Sequence, residues 1–172
     1  MSSYAHDDPA VDQVRVSVLV AVPPDEAFRI FTEEIDLWWR RGLRYRVAAG
    51  RSGTIHLEPG VGGRLYESSA DGGDTALKET GRVTAWDPPR GFCFTWRAVN
   101  FAPGESTSVE VAFEASRTGT RVTVTHRGWN GIRGDHPVRH GMEAEGFLRM
   151  MGGWWGALME GFREWGGSRG ER

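Results

Sequence analysis

Phe92-Cys93-Phe94-Thr95-Trp96-Arg97, Val109-Glu110-Val111-Ala112-Phe113-Glu114 and Arg121-Val122-Thr123-Val124-Thr125-His126 alternate apolar and polar side chains. A period of two belongs to strands that are apolar on one face only. From Glu143 to Trp165 the period changes. Phe147, Met151, Trp154, Trp155, Leu158, Phe162 and Trp165 recur at i, i+4, i+7, i+8, i+11, i+15 and i+18, one wide helical stripe. The pattern predicts an α+β container: a curved antiparallel sheet closed by one long C-terminal helix. Phe94, Trp96, Val109, Val111, Val122 and Val124 hold the apolar phase and should face that helix.

Upstream, Val14, Val16, Val18, Val20 and Val22 alternate with Arg15, Ser17, Leu19 and Ala21, a first strand with a β-branched face. Pro23-Pro24 ends it. Pro24 suits the first turn of a helix, where Asp25 and Glu26 complement the helix dipole. Phe28, Phe31, Ile35 and Trp38 extend an apolar stripe through Trp39, as one bent helix or two short ones. Leu43 to Ala49 reads as a short strand. Thr54 to Glu58 and Gly63 to Glu67 read as hairpin arms joined through Pro59-Gly60-Val61-Gly62. Asp71-Gly72-Gly73-Asp74 is a turn signal, and Glu79 to Trp86 is a strand closed by Asp87-Pro88-Pro89-Arg90. Thr118-Gly119 makes a tight hairpin into the last strand. Residues 1–12 are expected to be a flexible leader, 13–166 a single domain and 167–172 a polar tail.

At 172 residues with net charge −2, the chain can bury a substantial core but lacks the basic bias of a general nucleic-acid binder. No apolar run approaches the roughly 18 residues that span a bilayer. The N-terminus lacks the basic and apolar regions of a secretion signal. The single Cys93 excludes an internal disulfide framework. These features predict a soluble cytoplasmic protein. Lys78 is the only lysine, and with 24 glycines this suggests the codon bias of a high-GC bacterial genome.

In this order, Val22-Pro23-Pro24-Asp25-Glu26-Ala27-Phe28, Trp38-Trp39, Pro59-Gly60-Val61-Gly62-Gly63-Arg64, Gly81-Arg82-Val83, Trp86-Asp87-Pro88-Pro89-Arg90, Phe94-Thr95-Trp96, Gly119 to His126 and Gly153-Trp154 resemble the START-like, or SRPBCC, helix-grip superfamily. Within it the chain is similar to the branch named after the activator of heat-shock protein 90 ATPase. The resemblance spans about Val14 to Trp165 and implies the helix-grip fold. It implies no single activity, since members bind lipids, hormones and polyketides and some are cyclases.

His126 shares a face with Val122 and Val124, so it is either a proton-transfer group in an apolar pocket or a buried structural histidine. Glu58 is the pocket carboxylate considered beside it. Trp38, Trp39, Phe94, Trp96, Met151 and Trp155 are the candidate cavity wall, with Met150 and Met151 as adaptable surface. His136 and His140 lie four apart with Glu143 and Glu145 following, but Pro137 between them argues against a shared helical metal site. Cys93 has no evident activating partner. Arg127, Arg133 and Arg139 could hold an anion but read first as surface. No phosphate loop, dinucleotide fingerprint or nucleophile elbow occurs, so no cofactor is expected. The expected function is binding of a small hydrophobic molecule between sheet and helix. A cyclase-, aromatase- or hydrolase-like enzyme and a co-chaperone-like interaction module are the alternatives, and a homodimer stays open. Gly152-Gly153 interrupts the middle of the stripe, and each glycine costs about 1 kcal/mol relative to Ala. Close approach to the sheet is the expected reason, and a kink that admits ligand is the other.

Overall fold

The computed structural model describes residues 12–42, 44–46, 53–69, 77–97, 101–132 and 135–170. Strand β1 (Gln13–Val20) leads into helix α1 (Pro24–Glu33) and the single-turn α2 (Ile35–Trp38). The two helices break at Glu34, whose φ of −105° and ψ of 24° leave the helical region, so two short helices replace one bent one. Strands β2 (Gly53–Leu57), β3 (Arg64–Ser69), β4 (Lys78–Asp87), β5 (Gly91–Trp96), β6 (Thr107–Ser116) and β7 (Gly119–Arg127) follow, and helix α3 (Ala144–Gly170) ends the fold.

The strands form one antiparallel sheet in the order β1-β7-β6-β5-β4-β3-β2. Its register places Phe94 opposite Val109, Val109 opposite His126, and Val111 opposite Val124. A single apolar face results: Phe94, Val109, Val111, Val122 and Val124 are buried and Trp96 half-buried, as the alternation predicts. Strand β4 carries irregularities against both neighbours, at Leu65/Tyr66 and at Val83/Ala85. Such bulges sharpen local twist and help the sheet to curl. Gly81 lies between them, and a Cβ there would collide with the Thr95 carbonyl oxygen.

Helix α3 lies chiefly along β1, and its Phe147, Trp155, Leu158, Met159 and Phe162 are buried. This is the helix-grip arrangement. Truncating a residue such as Phe162 to Ala would cost about 3–5 kcal/mol. The helix runs to Gly170, four residues past Gly166. One expectation needs correction: close packing does not explain Gly152-Gly153. A Cβ at Gly152 would meet Val14 at an ordinary 3.8 Å, and one at Gly153 would meet nothing within 4 Å. The close approaches are at Gly161, where a Cβ would lie 2.9 Å from the Trp38 carbonyl oxygen, and at Gly166, where one would lie 2.5 Å from Val20 Cγ2.

Of the expected strand from Leu43 to Ala49, residues 44–46 instead form a turn, in which the Tyr45 and Arg46 N–H groups donate to the Gly42 carbonyl oxygen. Leu43 and 47–49 lie outside the described residues, as do Asp71 to Asp74 and Arg133.

Candidate functional site

Alternation along β7 points His126 into the interior, where it is fully buried. Trp155 of α3 donates its indole N–H to His126 Nδ1 at 3.0 Å. An indole nitrogen can only donate, so Nδ1 carries no proton and Nε2 does. His126 Nε2 therefore donates to Thr107 Oγ1 at 2.6 Å. Thr107 Oγ1 in turn donates to the Trp96 carbonyl oxygen at 3.1 Å. The chain of bonds runs one way from helix to sheet and leaves no ring nitrogen open. Burial drives the His126 pKa down to about 3, so the ring is neutral at physiological pH.

An aromatic network surrounds this chain. His126 contacts Trp129 at 4.6 Å, Trp96 at 5.3 Å and Trp155 at 5.9 Å between ring centroids. Trp155 abuts Trp154 at 5.1 Å and Trp39 at 6.0 Å. Trp154 then reaches Tyr45 at 6.0 Å on one side and Trp96 at 6.4 Å on the other. Trp39, Trp129 and Trp155 are buried, whereas Tyr45, Trp96 and Trp154 stay half-buried. The rings of this network that keep accessible surface are therefore Tyr45 in the α2–β2 connection, Trp96 at the end of β5 and Trp154 in the middle of α3.

Tyr45 is held in place by its neighbour. The buried Arg46 guanidinium uses all five N–H donors, on the carbonyl oxygens of Arg40, Gly53, Asp36 and Trp39 and on Asp36 Oδ1. Burial alone would raise the Asp36 carboxyl, but the Ile55 N–H and the Arg46 guanidinium outweigh it and hold the group below its ordinary value.

Among the residues singled out from sequence, Trp39, Trp96, His126 and Trp155 come together. Trp38 lies one layer back, against Phe31 and Phe162. Phe94 stacks on Phe92 within the core, and Met151 is buried. Glu58 is not part of this cluster. It follows β2, which four strands separate from β7 in the sheet order. There it accepts from the Arg64 side chain at 2.7 Å and from its backbone N–H at 2.9 Å. Those bonds lower its pKa, the side-chain bond most. Tyr45 and Thr107 escape sequence reasoning, because neither sits in a periodic pattern that marks a pocket. Trp154 belongs to the helical stripe but adjoins Trp155, so periodicity alone does not say which of the two stays open.

His136 is buried and exposed His140 is not beside it on a helix, since Pro137–Arg139 is a short 3-10 turn ending in left-handed His140. His136 Nδ1 accepts from Val138 N–H, and Nε2 lies 3.4 Å from Glu105. Among the described residues no three His, Cys, Asp or Glu side chains are placed to hold a metal. Arg127 is exposed. Arg139 is buried and donates to the Trp129 and Ile132 carbonyl oxygens. Half-buried Cys93 has its thiol pKa raised by burial. An open groove of about 710 Å³ runs between the α2 turn and the C-terminal half of α3, past Trp38, Trp39, Tyr45 and Trp165. No described helix is long and apolar enough to cross a membrane.

The family model described as "Activator of Hsp90 ATPase homolog 1-like protein" matches residues 21–163. Among solved structures, protein MLL2253 from Mesorhizobium loti is 21% identical, with 88% of this chain and 94% of that one covered and a TM-score of 0.58. The Aha1 dimer from Colwellia psychrerythraea is 15% identical over 88% and 93%, with a TM-score of 0.59. At such identities these two bear on the fold alone. An anthrahydroquino-gama-pyrone synthase complexed with SUM is 29% identical over 89% and 96%, with a TM-score of 0.55. No curated protein matches the chain.

Proposed function

This chain belongs to the activator of Hsp90 ATPase homolog 1-like family, and on that premise we propose that it binds a small, largely hydrophobic molecule against Tyr45, Trp96 and Trp154. The observation that carries the reading is the half-burial of these three rings in front of the closed layer of Trp39, Trp129 and Trp155. Large aromatics with an open face, where loop, sheet and helix meet, are typical of ligand-pocket linings. The likeness to a synthase supports an enzymatic alternative in the same place. Binding without turnover is preferred, because the acid–base candidates do not converge. His126 has both nitrogens engaged, and Glu58 pairs with Arg64 on a distant hairpin. The co-chaperone reading rests on the family description alone.

Native mass spectrometry of freshly purified protein tests the proposal. A retained small-molecule mass is expected, and it should be lost on Trp154→Ala while the circular dichroism spectrum is kept. A bare protein mass that stays bare after incubation with a mixture of hydrophobic metabolites would overturn it.

A further inference from the structure

The groove of about 710 Å³ beside α2 is lined by no strand residue, and by neither Trp96 nor Trp154. Its α3 side is Ala157, Gly161, Glu164 and Ser168, which recur at i, i+4, i+7 and i+11. They form a flank beside the buried face of Leu158, Met159 and Phe162. The groove therefore lies outside the interior between sheet and helix. Arg40 crosses this flank. Its Nε donates to the Ala157 carbonyl oxygen at 2.6 Å. The missing side chain at Gly161 leaves it room, since a Cβ there would sit 3.8 Å from Arg40 Cγ. Among the described residues, the terminal nitrogens of Arg40 meet no acceptor, and no carboxylate pairs with them. Neither nitrogen is buried. The neighbouring arginines differ: Arg46 has every donor engaged, and Arg41 pairs with Asp36. A guanidinium held at Nε presents its two terminal N–H groups in one plane, the fork that a carboxylate accepts. Apolar surface adjoins this fork. Leu37 is 57% exposed on the short helix that buries Ile35 and Trp38, and Trp165 is half-buried. The indole N–H groups of Trp38 and Trp39 are spent on the Phe31 and Tyr45 carbonyl oxygens, so these two rings add apolar wall. Exposed Glu164 is the acidic residue of the lining and disfavours an anion of higher charge.

We infer that this groove is a second binding site, for a monocarboxylate with an apolar body. The carboxylate sits on the terminal N–H groups of Arg40 and the body lies against Leu37 and Trp165. Isothermal titration calorimetry with octanoate, octanol and octylammonium tests this. Octanoate should bind about tenfold tighter than octanol, and tighter still than octylammonium. Its affinity should fall as salt is raised. Arg40→Gln should weaken octanoate about tenfold and leave octanol unchanged, which a general loss of fold would not do. Glu164→Gln removes a like charge from the rim and should tighten octanoate about twofold. Arg121→Gln, at an exposed position on β7, should change nothing. Octanol or octylammonium binding as tightly as octanoate would overturn the carboxylate assignment. Unchanged octanoate affinity in a folded Arg40→Gln protein would place the binding elsewhere and overturn the site, as would no binding of octanoate at all. Should Arg40→Gln fail to fold, Glu164→Gln decides: unchanged or weaker octanoate binding there overturns the proposal.

Discussion

Trp155 can only donate, and that fact fixes the His126 tautomer and makes the ring a neutral strut between α3 and the sheet. The pH dependence follows. The His126 pKa falls from 6.5 to about 3 on folding, so the unfolded chain binds the extra proton between these values. The stabilisation is therefore present in full above pH 6.5 and is lost as pH falls towards 3, at up to about 1.4 kcal/mol per pH unit. Urea midpoints at pH 7, 6 and 5 should show this slope, and His126→Gln, which keeps a donor and an acceptor, should flatten it. An identical slope in both proteins would assign the acid sensitivity to other groups. Trp155→Phe keeps the ring but orphans a buried Nδ1, and should cost about 1–3 kcal/mol. The inward phase of His126 was legible in the alternation of β7. Its partners were not, because Thr107 and Trp155 lie 19 and 29 residues away and reach it only through strand register and helix docking.

At the level of elements, the periods of two and 3.6 revealed most strands and the long helix, because each has one buried face. The period could not reveal which helical glycines matter, since that depends on what lies opposite. Gly153 faces open space, so Gly153→Ala should raise stability by about 1 kcal/mol through helix propensity. Gly161→Ala puts a methyl against backbone oxygen. Gly166→Ala drives one into Val20, a stiff, fully buried β-branched side chain. There the steric penalty of about 1–3 kcal/mol outweighs the propensity gain, and both variants should unfold at lower urea than the parent. Stabilisation by Gly161→Ala would mean that α3 can withdraw from the Trp38 carbonyl without loss. The α2–β2 connection was misread as a strand because Arg44-Tyr45-Arg46 mixes bulky apolar and polar residues. Its turn is held by Arg46 bonds to carbonyl oxygens seven residues away on either side, which no periodic pattern announces.

For the whole molecule, an open seven-stranded sheet leaves two edges, and exposed edges invite pairing with other chains. One edge strand, β1, lies under α3. The other, β2, is closed by the same Asp36–Arg46 pair that orders the Tyr45 turn. Asp36 Oδ1 accepts the Ile55 N–H at 2.9 Å, and Arg46 donates to the Gly53 carbonyl oxygen at 3.2 Å. Two positions apart on one strand, these groups share the edge that faces away from β3. One ion pair thus fixes a wall of the candidate pocket and guards the sheet against association. Arg46→Leu should act on both. It takes the guanidinium from four carbonyl oxygens and from Asp36, which keeps Arg41 and the Ile55 N–H, for a loss of about 1–3 kcal/mol. It also frees the Gly53 carbonyl for intermolecular pairing, so light scattering should show concentration-dependent association well below the unfolding midpoint. Asp36→Asn keeps an acceptor for Ile55 N–H and should lose stability without associating. Were Arg46→Leu to associate no more than the parent at every concentration with its midpoint unmoved, β2 would need no guard and the pair would serve the turn alone.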